Sequence, residues 1–86
     1  MLLLPQIGGR MHMKERALLA DVESGGTVLV LTDGRRLEVP DADDATAASM
    51  WFPDARLTLR PSKRRGAKLS VTNEDTGETI LAIGRL

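Results

Sequence analysis

Short runs of alternating apolar and polar residues, cut apart by glycine-containing turns, dominate this sequence and leave few folds open to it. Successive side chains of a β-strand point to opposite faces, so such alternation marks a half-buried strand. Residues 17–23 set Leu18, Ala20 and Val22 on one face and Leu19, Asp21 and Glu23 on the other. Ser24-Gly25-Gly26 then supplies the positive backbone angles of a tight hairpin turn. Residues 27–32 (TVLVLT) are apolar on both faces and rich in β-branched side chains, which predicts a central strand. Val28 and Val30 are expected toward the core there, with Leu29 and Leu31 outward. Asp33-Gly34 predicts a type I′ turn, and residues 35–39 follow with Leu37 and Val39 inward. Three strands in an antiparallel meander result.

Pro40 ends the meander, and the pattern changes. Asp41 is a good N-cap, Asp44 stands three residues on, and Asp41, Asp43 and Asp44 together suit the positive end of a helix dipole. One short helix is predicted near residues 42–50. Calcium ligation by these carboxylates is excluded by spacing, since the run lacks the central Gly and terminal Glu of an EF-hand loop. The strand pattern then resumes. Residues 56–60 (RLTLR) place Leu57 and Leu59 inward, and residues 68–72 (KLSVT) do the same with Leu69 and Val71. Asn73 to Gly77 carries the turn residues of a longer hairpin loop, and residues 79–83 form the last strand.

Three strands, a short helix and two or three more strands cannot lie flat, because one helix is too little to cover a wide apolar face. Closing the sheet on itself removes the wet face and most of the edges. The predicted fold is therefore all-β with one short helix: a small five- to six-stranded antiparallel barrel, OB-like, with an SH3-like barrel as the alternative. Carried by TVLVLTDGRRLEV, the short helix and PDARLTLRPSKRRGAKLSV, the chain resembles the S1-like OB domains, and bacterial translation initiation factor one shares this plan. DG, EV, WxPDxxLxL and NxDTGE also resemble a group of small bacterial barrel proteins. The resemblance spans residues 17–83 and implies an OB barrel. It differs from the S1 pattern at Pro53-Asp54-Ala55, where Gly-Asp is usual, and in lacking strand aromatics.

The chain has 86 residues, which allows one small domain. Gly8-Gly9 breaks any element near the start, so residues 1–13 read as a flexible N-terminal arm and residues 14–86 as a single barrel domain. The start lacks the basic region and long apolar core of a secretory signal, and no stretch is apolar enough to span a membrane, so a cytoplasmic protein with no membrane partner is expected. With no cysteine, and with His12 the single histidine, the sequence offers no thiol nucleophile, no activated serine and no zinc ligand set. Neither a GxGxxG nor a GxxxxGK[ST] phosphate loop occurs. The expectation is a non-enzymatic chain with no cofactor and no evident small-molecule substrate.

Two surfaces stand out. Lys and Arg total 12 and so do Asp and Glu, so net charge draws the chain toward no partner, but its distribution is uneven. Arg56, Arg60, Lys63, Arg64, Arg65 and Lys68 fall within thirteen residues that hold no acid, and the resemblance places SKRRGAK in a loop with which OB barrels grip oligonucleotides. Arg35 and Arg36 would widen that patch. The second surface is apolar: Leu2, Leu3 and Leu4 of the arm, Trp51 and Phe52 after the helix, and Leu19, Leu29, Leu31 and Leu81 as outer positions. The leading expectation is a non-catalytic barrel for protein–protein or self-association. The alternative is an S1-like domain binding RNA or single-stranded nucleic acid through residues 56–68.

Overall fold

A computed structural model of the chain describes residues 14–62 and 69–86. Among these residues lie six strands, one α-helix and a 3-10 turn at Ser24–Gly26. The strands are β1 (Glu15–Glu23), β2 (Val28–Leu31), β3 (Arg36–Glu38), β4 (Arg56–Pro61), β5 (Leu69–Asn73) and β6 (Thr79–Ala82). Helix α1 (Ala42–Ala48) joins β3 to β4. The N-terminal arm and residues 63–68 lie outside the described residues.

All ladders are antiparallel, in the order β3-β2-β1-β4-β5-β6. The all-β class with one short helix is as the sequence predicts, and the sheet is barrel-like without being closed by a full ladder. Its outer edges meet at one pair only. Glu38 N–H donates to Ile83 O at 2.9 Å, and Ile83 N–H donates back to Glu38 O at 2.7 Å. Beyond that pair the helix reaches β6: the Asp44 carboxylate accepts the Leu81 N–H at 3.1 Å, a donor on the sheet edge. Asp41 caps the helix as predicted, its side chain accepting the Asp44 N–H at 3.1 Å.

Two turns follow prediction and one differs in kind. Ser24, Gly25 and Gly26 all have positive φ in a tight turn between β1 and β2. At the β2–β3 hairpin only Gly34 has positive φ. Gly34 N–H donates to Leu31 O and Leu31 N–H donates to Arg35 O, both at 2.9 Å. This is a three-residue loop closed by a glycine bulge, not the two-residue type I′ turn expected. In the β5–β6 loop, buried Asn73 accepts the N–H groups of Asp75 and Thr76 on its side-chain oxygen, and Gly77 takes positive φ.

The faces of β2, and of β1 up to Ala20, are the reverse of the expectation, while Val22 packs against the core as expected. Leu19, Leu29 and Leu31 are fully buried in the core, while Leu18 and Ala20 are exposed and Val28 and Val30 only half-buried. A β-bulge causes the reversal in β1. Leu19 pairs with Leu31 but Asp21 pairs with Val30, so Ala20 is an extra residue and the inward phase shifts from Ala17 and Leu19 to Val22. The proposed apolar outer surface of Leu19, Leu29 and Leu31 is thus core. From the second half, Leu57, Leu59, Leu69, Val71 and Ile80 point inward, and Ala45 and Ala48 of α1 cover the open end.

Candidate nucleic-acid interface

β1 and β4 lie in the middle of the sheet, each paired on both sides, so both must alternate between core and solvent. The register couples Arg16 to Thr58 and Leu18 to Arg56 on the outer face, while Ala17 and Leu57 share the inner one. Arg60 follows Thr58 by two residues and is outward again, and Lys14 precedes Arg16 by two. A groove of about 640 Å³ lies over this face, and Lys14, Arg16, Arg56 and Arg60 all line it. Leu18 and Glu74 complete its polar and apolar rim.

The cations of the described strands and turns divide into two groups, with Arg85 of the C-terminal segment, which makes no ion pair among the described residues, apart from both. Arg35 is held on three sides: it donates from Nε to Asp33 Oδ2 at 2.8 Å, from Nη2 to Glu15 Oε2 at 2.6 Å and from Nη1 to Arg85 O at 2.9 Å. It clamps the start of β1, the β2–β3 turn and the C-terminal segment together. Arg36 is paired with Glu23. These two arginines are therefore committed within the fold and do not widen the basic patch as the sequence suggested. Lys14, Arg16 and Arg60, by contrast, make no ion pair among the described residues, and all three line the groove.

Arg56 belongs to both groups. It donates to Asp75 Oδ1 from Nε at 3.0 Å and from Nη2 at 2.9 Å, and its own N–H reaches Asp75 Oδ2 at 3.3 Å. The side-chain hydrogen bond from Arg56, then the backbone one, hold the Asp75 carboxyl below the ordinary aspartate value. Glu74, the acid nearest the groove, accepts the Thr58 hydroxyl at 2.6 Å. The hairpin β5–β6 thus supplies the two carboxylates that face an otherwise basic surface.

Of the residues proposed from sequence for nucleic acid, Arg56 and Arg60 stand together in the groove, while Lys63, Arg64, Arg65 and Lys68 lie outside the described residues. Sequence reading missed Lys14 and Arg16, which join them only through the β1–β4 pairing. The period-two spacing of Lys14, Arg16 and Leu18 was the available signal.

The apolar candidates separate. Trp51 is 4% exposed and donates from Nε1 to Glu78 Oε1 at 2.7 Å, so it fills the core beneath the helix exit and offers no contact surface. Phe52 is 79% exposed and Met50 74%. Leu81 is half-buried, and Leu2, Leu3 and Leu4 lie outside the described residues. No helix among the described residues is long and apolar enough to cross a membrane. Comparison with family models, curated proteins and solved structures finds no match to the chain.

Proposed function

We propose that this chain is a non-catalytic barrel-like module that binds single-stranded nucleic acid through its phosphates, across the outer face of β1 and β4. One observation carries the reading: of the four cations that make no ion pair among the described residues, three, Lys14, Arg16 and Arg60, converge on a single groove, Arg85 being the fourth. Four further cations, Lys63, Arg64, Arg65 and Lys68, follow Arg60 in the sequence. Guanidinium groups recognise phosphate oxygens bidentately, and the three of the groove, with the Lys14 ammonium, need no aromatic platform to bind phosphate. Binding is accordingly indifferent to base sequence and sensitive to salt.

Protein association is the second reading. It is favoured by the exposed Met50 and Phe52 beside the helix, which form the kind of apolar projection that anchors partners. Burial of Leu19, Leu29 and Leu31 removes its other support. One pair of measurements separates the two. Titration of a fluorescent oligothymidylate should show binding whose affinity falls with salt at a slope of about −0.7 per phosphate contact. Replacing Arg16 and Arg60 with Glu should abolish that binding while moving stability by less than about 0.5 kcal/mol, since both side chains are exposed. No binding at low salt, together with a concentration-dependent mass on sedimentation, would transfer the case to association.

A further inference from the structure

The β1–β4 register does more than collect charge. It sets the cations at regular levels along the strand direction. Arg56 stands at the level of Leu18, and Arg16 stands one step on, at the level of Thr58. Arg60 stands one step further, and continuing the same register brings Lys14 level with it. Each step is two residues of extended chain, about 6.7 Å, so the three levels span about 13 Å along the strands, the cations alternating from β4 to β1 and back across about 4.8 Å.

We infer that this ladder is a gauge for phosphate spacing, holding three successive phosphates of an extended, unstacked polynucleotide strand that runs parallel to β1 and β4. The inference rests on the nucleic-acid reading given above and adds its geometry. In a stacked duplex the backbone winds around the helix axis and curves away from such a row, whereas an extended strand can follow it. An extended single strand matches the step. Thr58 holds the middle level open: its hydroxyl is turned to Glu74, which keeps that carboxylate hydrogen-bonded at the rim.

An acidic peptide in β conformation also repeats every two residues, but the surface is poorly suited to one. A peptide lying across the outer face of β1 and β4 meets no strand edge there, since the two strands are paired with each other and β4 also with β5, so it would gain side-chain contacts alone. A phosphodiester strand has no main-chain ladder to lose. At the Arg56 level the ligand must compete with Asp75, which already occupies the guanidinium. Asp75 is therefore an internal substitute for the first phosphate and lowers affinity at that level.

The test changes spacing while conserving charge. In Arg16→Gln the middle level is emptied, and oligothymidylate affinity should fall about tenfold, the worth of one charged hydrogen-bonding group. Arg16→Gln combined with Leu18→Arg restores the net charge but at the level of Arg56. Arg16→Gln combined with Ser70→Arg restores it at the level of Arg60, with which Ser70 is paired. Both double variants should bind as weakly as Arg16→Gln, and Asp75→Asn should bind several-fold more tightly than the wild type. Recovery of wild-type affinity in either double variant, with a native circular dichroism spectrum, would show attraction by charge alone and overturn the ladder while leaving nucleic-acid binding in place. Failure of the wild type to bind any oligonucleotide at low salt would overturn both, and equal binding of a polyglutamate peptide would overturn the polynucleotide assignment.

Discussion

Glycine is used in this chain for two different reasons, and they separate at Gly34 and Gly26. Gly34 needs positive φ to close the β2–β3 loop, yet a Cβ there would meet nothing. Gly26 also has positive φ, but a Cβ would lie 1.8 Å from Ala45 O and 2.9 Å from Ser49 N, inside the helix backbone. The helix is seated directly on the turn between β1 and β2. Gly34→Ala should therefore cost only the left-handed conformation, about 1–2 kcal/mol. Gly26→Ala should cost that and displace α1 as well, more than about 3 kcal/mol. Denaturant melts of the two variants check the difference, and equal losses would mean that the helix does not rest on Gly26. The sequence signals positive φ at both positions. Contact with a helix twenty residues away is a tertiary fact that it does not carry.

At the scale of elements, the positions of the turns, the strands and the helix cap were legible because each rests on chemistry local to a few residues, although the turn at Asp33-Gly34 differs in type. Facing was not, and the reason is the bulge at Ala20. Alternation read straight through a bulge assigns every residue beyond it to the wrong side. For β2 a usable signal was present. Leu37 reads inward from sequence, and a three-residue loop at residues 32–34 makes Leu29 its partner, so Leu29 had to be inward too. The type I′ assignment at Asp33-Gly34 concealed that register. The groove was half legible for the same reason: Arg56 and Arg60 share one strand, whereas Arg16 and Lys14 reach them through pairing across the chain. The helix carries a prediction at this scale. Asp44 accepts an edge N–H from Leu81, and that donor has no ladder partner on its outer side. Asp44→Ala should cost about 1–3 kcal/mol through an unsatisfied, partly buried donor, and amide exchange at Leu81 should accelerate more than at Ile80.

For the whole molecule the decisive question is what keeps a six-stranded sheet from opening. Two edges, β3 and β6, would otherwise present unpaired backbone to other chains. They are joined by the reciprocal hydrogen bonds of Glu38 and Ile83, by the Arg35 clamp on the Arg85 carbonyl and by the Asp44 tether, with α1 covering the remainder. None of these contacts is large, but they act in series along one seam, so losing one shifts load to the next. Ile83→Pro tests the seam with little change in core volume, because Ile83 is 37% exposed and outside the buried core while its N–H donates to Glu38 O. Proline removes that donor and leaves an acceptor on the β3 edge without its partner. The expected loss is about 1–3 kcal/mol, accompanied by faster exchange at Glu38 and by a mass that rises with concentration as the freed edges pair between molecules. A variant that stays monomeric and keeps wild-type stability would place the closure elsewhere, in the packing of α1 against the sheet. Because β1 and β4 lie on the far side of the sheet order from this seam, oligonucleotide affinity should survive a loosened edge, provided that the fold itself does.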